Sequence, residues 1–373
     1  MLYHKHSRVI VQLELFETSK NSSPDLYSEQ VAIGSRKYLG SKHRLLDFIG
    51  PTILAQVPHI GTFLDGFSGT GVVASWLRPH VQKTIVNDLL RSNYVVNRAY
   101  LASTERNVDQ SKILRFLSEL NTLQPIEGYV YRNYGGTYFT IRNAGMIDSV
   151  RERIAEHAQA GECTAQEECV LLTSLLYAVD KVANTVGQYD AFLKHLGLDS
   201  YDETGKHLID ANVYKPLTLR MPRLDLLGRA EVHNEDINVL IRNISGDVLY
   251  LDPPYNTRQY VDCYHVLENI VRWDKPPLYG KTRKFERSGL KSRYSRRKQV
   301  LAAFSDVVEQ ADFKHVFVSY NDEGILSADA ITAVLERRGL VSLHQREYPV
   351  FGNGAGRSRK RLVCERLFHC AVC

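Results

Sequence analysis

The tetrapeptide Asp252-Pro253-Pro254-Tyr255 concentrates more chemistry than any other part of the chain. It closes an apolar run, Val248-Leu249-Tyr250-Leu251, that reads as a buried strand. Proline has no N–H and a nearly fixed φ, so the pair stops the strand and holds an extended turn with free carbonyls. A carboxylate, rigid carbonyl acceptors and an aromatic face then sit together at a strand's carboxyl end, the edge at which open α/β sheets bind ligands. The set suits a flat ring with an exocyclic amine. The amine donates its two hydrogens to Asp252 and to the Pro253 carbonyl, and the ring stacks on Tyr255.

A second set of residues lies upstream. Thr62-Phe63-Leu64 reads as a strand, Asp65-Gly66-Phe67-Ser68-Gly69-Thr70-Gly71 as a glycine-rich turn, and Val72 to Leu77 as a helix. Glycine lets a ligand approach the backbone, and a helix N-terminus favours a negative group. The G-x-G-x-x-G spacing and the G-x-x-x-x-G-K-[ST] phosphate loop are both absent. A nucleoside without phosphate fits better. S-adenosylmethionine is such a molecule, its carboxylate at the helix start and its ammonium on Asp65, with Phe67, Ser68, Gly69 and Gly71 around it. Asp88 ends the next strand, 84–86, at the distance where an acid takes ribose hydroxyls, with a helix cap as the alternative role. Asp236 and Ile237 follow a later strand and are a candidate wall for the adenine ring of that cofactor.

Bulk properties set the frame. With 373 residues and 44% hydrophobic content the chain can build one large domain or two ordinary ones. No apolar run approaches 18 residues, and Met1 to His6 lacks a signal peptide's apolar stretch, so a protein of the cytoplasm is expected. Six cysteines are too sparse for a disulfide framework. Cys364, His369, Cys370 and Cys373 have only one pair at ligand spacing, so no metal is expected. The net charge is +5, but residues 281–298 alone carry nine basic side chains and one acid. A localised basic run points to a polyanion. Tyr279, Phe285 and Tyr294 are interleaved with it and suit stacking; a solvated charged loop is the competing reading.

Strand and helix patterns alternate over 31–103 and 231–373, flanking a mainly helical stretch, 104–230. Helices are expected at Val108–Leu120, Ala144–Ala160, Ala165–Val182 and Tyr189–Leu196, with final strands at Leu340–Tyr348 and Arg361–Cys370. Residues 1–30 read as an N-terminal arm. The fold class is α/β with an inserted, mainly helical domain.

Over residues 36–373 these pieces resemble the adenine-specific DNA methyltransferases of the α-class, the arrangement of Dam-like and restriction-modification enzymes. The resemblance lies in Lys37-Tyr38-Leu39-Gly40-Ser41-Lys42, in the 65–71 turn, in Asp88 and in the Asp252 tetrapeptide. Tyr255-Asn256-Thr257-Arg258-Gln259-Tyr260, Tyr264-His265 and Ser319-Tyr320-Asn321 are similar to methyltransferases of type IIS systems. Dam-like members usually carry Trp at the place of Tyr38 and Gly at that of Ser41.

The resemblance implies a Rossmann-like methyltransferase sheet, S-adenosylmethionine as cofactor, with Tyr38 and Lys42 among its contacts, and a target-recognition domain at 104–230. It implies transfer of a methyl group to N6 of adenine in double-stranded DNA, by base flipping into the pocket of Asp252, Pro253, Pro254 and Tyr255. A phosphate-binding role follows for Lys281, Arg283, Lys284, Arg287, Lys291, Arg293, Arg296 and Arg297. Lys37 and Lys42 could instead meet the DNA backbone or solvent. Arg142, Asn143 and Gln188 are open as base readers. A monomer, encoded by a prokaryote or phage and nucleoid-associated, with a cognate restriction endonuclease acting separately, is the expected setting. An inactive DNA-binding protein on the same fold, or an enzyme acting on RNA adenine, are the alternatives.

Overall fold

The computed structural model describes residues 30–196, 209–228, 230–350 and 361–373. The expected arm, 1–30, lies outside them apart from its last residue. The elements run α1 (Leu46–Gln56), β1 (Ile60–Asp65), α2 (Val72–Leu77), β2 (Val81–Asn87) and α3 (Arg91–Leu101). A helical block follows: α4 (Gln110–Thr122), α5 (Tyr129–Tyr134), α6 (Ile141–Gln159) and α7 (Ala165–Val182). The chain then returns to β3 (Ala230–His233), α8 (Ile237–Leu240), β4 (Ser245–Leu251) and α9 (Tyr260–Arg272). It ends with α10 (Val300–Gln310), β5 (Asp312–Asn321), α11 (Ala328–Leu335), β6 (Gly339–Val350) and β7 (Arg361–Val372).

The seven strands form one sheet in the order β3-β2-β1-β4-β5-β7-β6. All neighbours pair in parallel except β7, which runs antiparallel between β5 and β6. From β1 the chain steps outward through β2 to β3, then crosses back to β4 on the other side of β1. That reversal makes β1/β4 the topological switch point, and the crevice beyond their carboxyl ends is where such a sheet takes its ligand. This strand order is that of a Rossmann-like methyltransferase sheet, as the resemblance implies.

The apolar runs are continuous because both faces of the sheet are covered. Phe63, Val86, Val248, Tyr250 and Phe317 join a core that extends into α1, α3, α6, α7 and α9. Leu64, Ile85, Leu249, Leu251 and Val318 face the opposite core, closed by α8, α10 and α11. Alternation along each strand thus divides one hydrophobic content between two layers. The helical block shares the first core, with α7 lying along α3. A capping box at Thr164 and Glu167 starts α7 at the residue its pattern predicts. Residues 189–196 hold turns instead of the expected helix. Tyr189 is wholly buried, its N–H donates to the Cys263 carbonyl (2.6 Å) and its hydroxyl to Asp180 (3.1 Å), so tertiary contacts override local pattern.

Among the described residues no helix is long and apolar enough to cross a membrane. Nor do three or more His, Cys, Asp or Glu side chains gather as a metal cluster there.

The turn after β1 depends on Gly71, which starts α2 at φ +79°. A Cβ there would lie 2.1 Å from Asn97 Oδ1. A left-handed residue with a side chain costs about 1–2 kcal/mol before any clash. Gly71→Ala is therefore expected to lower the free energy of urea unfolding by at least about that amount; an unchanged midpoint would show that the turn relaxes freely.

Candidate active site

Asp65 at the end of β1 and Asp252 just after β4 line one cavity, together with the glycine-rich turn, Asp88, Asp236 and Ile237. The register explains this: Asp65 pairs with Tyr250, so the two strands end side by side, and the Gly66 N–H donates to the Tyr250 carbonyl at 2.9 Å.

Lys42 reaches the same place from the segment before the sheet. Its ammonium lies 2.9 Å from Asp252 Oδ1 and 3.3 Å from Glu365 Oε1, and the side chain is 6% exposed. Lys42 is thus a buried ion-pair partner that also lines the cavity. Lys37 is exposed; its backbone N–H donates to Asp180. Burial pushes the Asp252 carboxyl up to about 6, with Lys42 pulling it down and Glu365 raising it.

The 36–42 segment is fastened to α3 and α9. The Tyr38 ring stacks on Tyr264 with centroids 4.7 Å apart and planes at 10°. Its hydroxyl accepts from Asn93 Nδ2 at 2.8 Å, while Asn93 Oδ1 accepts from Arg36 at 2.8 Å. The Leu39 N–H donates to the Tyr264 hydroxyl at 2.6 Å. Tyr38 therefore enters the cavity wall as a fixed plane.

Within the turn, Ser68 N–H donates to the Asn87 carbonyl (2.9 Å), and the Ser68 hydroxyl accepts from Asn97 (2.7 Å). Asp88 accepts from Gly69 N–H (2.9 Å) on one oxygen and Leu90 N–H (2.8 Å) on the other. It braces the turn and the residue before α3, whose own first N–H groups go to Glu268, while each oxygen keeps a lone pair for a hydroxyl. Asp236 caps α8 through Asn238 N–H at 2.9 Å and faces Arg293 at 3.4 Å. Phe67 meets Tyr294 edge-on at 4.8 Å.

Whether S-adenosylmethionine fits is tested by what the site leaves unsatisfied. Asp65 is 1% exposed, yet its Oδ1 has no hydrogen-bond partner, and the Ser41 hydroxyl is likewise buried and unpaired. Burial, with Asp252 adding, pushes the Asp65 carboxyl well above the ordinary range. A buried carboxylate without a cation is costly. The cofactor's ammonium supplies one, so the residues present fit the group.

Several residues fall elsewhere than expected. Pro254 lines the cavity, whereas Pro253 is buried and Tyr255 lies outside the lining, half-buried with its ring 5.7 Å from the Lys42 ammonium. Phe285 and Tyr294 are core residues, 5% and 3% exposed, so of the three interleaved aromatics only Tyr279 presents its ring to solvent. Lys281, Arg283, Arg296 and Arg297 are exposed; Lys284, Arg287, Lys291 and Arg293 are half-buried. Arg287 and Lys284 both face Asp262, and Leu290, Ser292 and Arg293 wall the same cavity as Asp65 and Asp252. Asn143 is buried, donating to the Val213 and Lys215 carbonyls and accepting from Leu217 N–H, so it holds the helical block together and reads no base. Gln188 accepts from Arg258 at 2.6 Å, and Arg142 is exposed.

Glu365 was missed by sequence reasoning. The one signal was phase: Val363, Glu365 and Leu367 are the inward positions of β7, and an acid in that row has no place in a core without a partner.

Comparison with known proteins gives a consistent result. Residues 38–334 match the model of the D12 class N6 adenine-specific DNA methyltransferases. The Type II methyltransferase M.NlaIII of Neisseria lactamica is 36% identical over 84% of this chain and 92% of its own length. The modification methylase LlaI of Lactococcus lactis subsp. lactis is 35% identical, and the Type II methyltransferase M.FokI of Planomicrobium okeanokoites 34%; this chain spans 51% and 47% of those two. A cavity set at the β1/β4 switch point, with a paired Asp252 and an unpaired Asp65, and the match along most of the chain lead to one assignment: this chain belongs to the D12 class of N6 adenine-specific DNA methyltransferases.

Proposed function

We propose that the chain methylates N6 of an adenine swung out of a DNA duplex, that Asp252, the Pro253 carbonyl and Tyr255 receive that base, and that it serves as the modification enzyme of a restriction system. The observation that carries this reading is the single cavity holding Asp65 and Asp252 from neighbouring strands. One acid would serve the cofactor and the other the amine.

When bound, S-adenosylmethionine supplies an electrophilic methyl group on a positively charged sulfur. Asp65 would hold its ammonium, Asp88 its ribose hydroxyls, and Tyr38, Phe67, Asp236 and Ile237 its ring and edges. The adenine amine is a poor nucleophile because its lone pair is delocalised into the ring. Lys42 occupies Asp252 Oδ1 and leaves Oδ2 to accept one amine hydrogen. The Pro253 carbonyl accepts the other. Together they favour a tetrahedral nitrogen and stabilise the positive charge that develops on it. Holding both reactants in one cavity makes the step effectively unimolecular. The methylated amine then gives up a proton to Asp252 or to water. The amine is out of reach inside a duplex, so the base must leave the stack at a cost of a few kcal/mol, offset in part on Tyr255. The exposed bases of 281–298 would hold phosphates, and the helical block, 104–230, would read the sequence.

Asp252→Ala is expected to abolish methylation, read as labelled methyl incorporated into DNA, while DNA affinity persists; loss of both together means that Asp252 serves the fold instead. Because the carboxylate is the working form, kcat/KM for methylation should fall as pH drops through about 6, where Asp252 gains its proton. A limb near pH 4, the ordinary Asp value of about 3.9, contradicts that role. Replacing Lys281, Arg296 and Arg297 with Gln should reduce the slope of log affinity against log salt by up to roughly 2.7, at about 0.9 per phosphate contact, with the methylated sequence unchanged. A changed sequence would assign these side chains to base reading.

A further inference from the structure

We propose that Glu365 on β7 is a positioning residue for methyl transfer, which shares the Lys42 ammonium with Asp252 and leaves the three-residue cluster with a net negative charge. This rests on the reading of Asp252 as the acceptor for the amine.

The placement is built, not incidental. Because β7 is antiparallel, its early residues lie at the carboxyl edge of the sheet, where Glu365 pairs with Asn321. The Glu365 side chain is wholly buried. Its Oε1 accepts from the Ser319 hydroxyl at 2.5 Å and faces the Lys42 ammonium at 3.3 Å, while Oε2 is buried with no partner. A buried carboxylate needs a counter-charge or a set of hydrogen bonds. Here the counter-charge is the lysine that also holds Asp252.

Charge counting shows what this does. Asp252 with Lys42 alone is a neutral pair. It would offer the amine a hydrogen-bond acceptor but no net field. Adding Glu365 gives two carboxylates around one ammonium, so the cluster carries one negative charge. That charge is fixed before the reaction and needs no reorganisation while positive charge develops on the amine nitrogen, the condition under which buried electrostatics lowers a barrier most. Glu365 also draws the ammonium away from full capture by Asp252. The groups facing Asp252 are Lys42 from the turn before α1, Asp65 from β1, Tyr250 from β4, Tyr255 and Tyr260 after it, Tyr348 from β6 and Glu365. Among them Lys42 is the cation. Removing the Glu365 charge therefore strengthens the hold of Lys42 on Asp252.

The test is the pH dependence of methylation by Glu365→Gln in the full chain, with cofactor affinity from calorimetry. The expected result is a plateau kcat lower by about tenfold or more, with an acid limb displaced to lower pH and nearly unchanged affinity for S-adenosylmethionine. Glu365→Asp keeps the charge, so its limb should stay with the wild type and its kcat should fall less. A limb that stays in place in Glu365→Gln, or that moves equally in both variants, overturns the proposal. So does a fall in unfolding midpoint with kcat intact. Should Glu365→Gln not fold, Ser319→Ala removes only the hydroxyl that holds Glu365; kcat should then drop at constant cofactor affinity, and an unaltered kcat overturns the proposal equally. Asp252→Asn, assayed alongside, separates the two levels: if it still methylates, the acceptor reading itself fails, whereas if it is dead and the Glu365 limb is fixed, only the role of Glu365 fails.

Discussion

One buried ion pair, Lys42 with Asp252 at 2.9 Å, is the constraint around which the site is arranged. Asp252 comes from the middle of the sheet and Lys42 from a segment that precedes β1. Nothing in a doubly wound sheet obliges these two parts of the chain to meet. Their meeting takes the ammonium out of water, at a cost of several kcal/mol for an isolated ion. The surroundings must offset that cost, and much of what is specific to this cavity can be read as doing so.

The offset begins with the backbone of the lysine's own segment. Gly40 sits at φ +74°, and a Cβ there would come within 2.9 Å of the Tyr260 hydroxyl, so the chain bends close over α9 at a glycine. Tyr38 stacks on Tyr264, and Asn93 joins Tyr38 to Arg36. Those contacts draw on α3 and α9, which Glu268 links in turn: it is wholly buried in α9 and accepts from the Arg91 and Ser92 N–H groups at the start of α3. The result is a frame in which the cavity wall at Tyr38 and the Lys42–Asp252 pair share supports. A change that loosens α3 against α9 would disturb Tyr38 and Lys42 together.

Much of this was legible from residue types alone, for physical reasons. A double proline after an apolar run can end a strand in few ways, so Asp252 had to lie at the sheet's edge. The glycine-rich turn and Asp88 fall at strand ends for the same reason: regular spacing along the chain becomes adjacency at one edge of a parallel sheet. The failures share a cause as well. Asn143 as an open base reader, and Phe285 and Tyr294 as stacking rings, all need exposure, yet all three are buried, because residue type alone does not reveal which side chains turn inward. Glu365 lies 113 positions after Asp252 and meets Lys42 only through the antiparallel insertion of β7 beside β5. That pairing is a property of topology, and no local pattern announces it beyond an acid standing in an apolar row.

The stretch after Asp252 ties the basic run to the cavity. Gln259 and Ser292 exchange two hydrogen bonds, at 2.8 and 3.0 Å, which pins the middle of the basic stretch against the start of α9. On one side of that clasp Arg287 is tied to Asp262 of α9, and on the other Arg293 faces Asp236 at the cavity wall. The exposed bases flank these anchored ones. The basic stretch is thus continuous with the cavity, since Leu290, Ser292, Arg293 and Tyr294 form part of its wall.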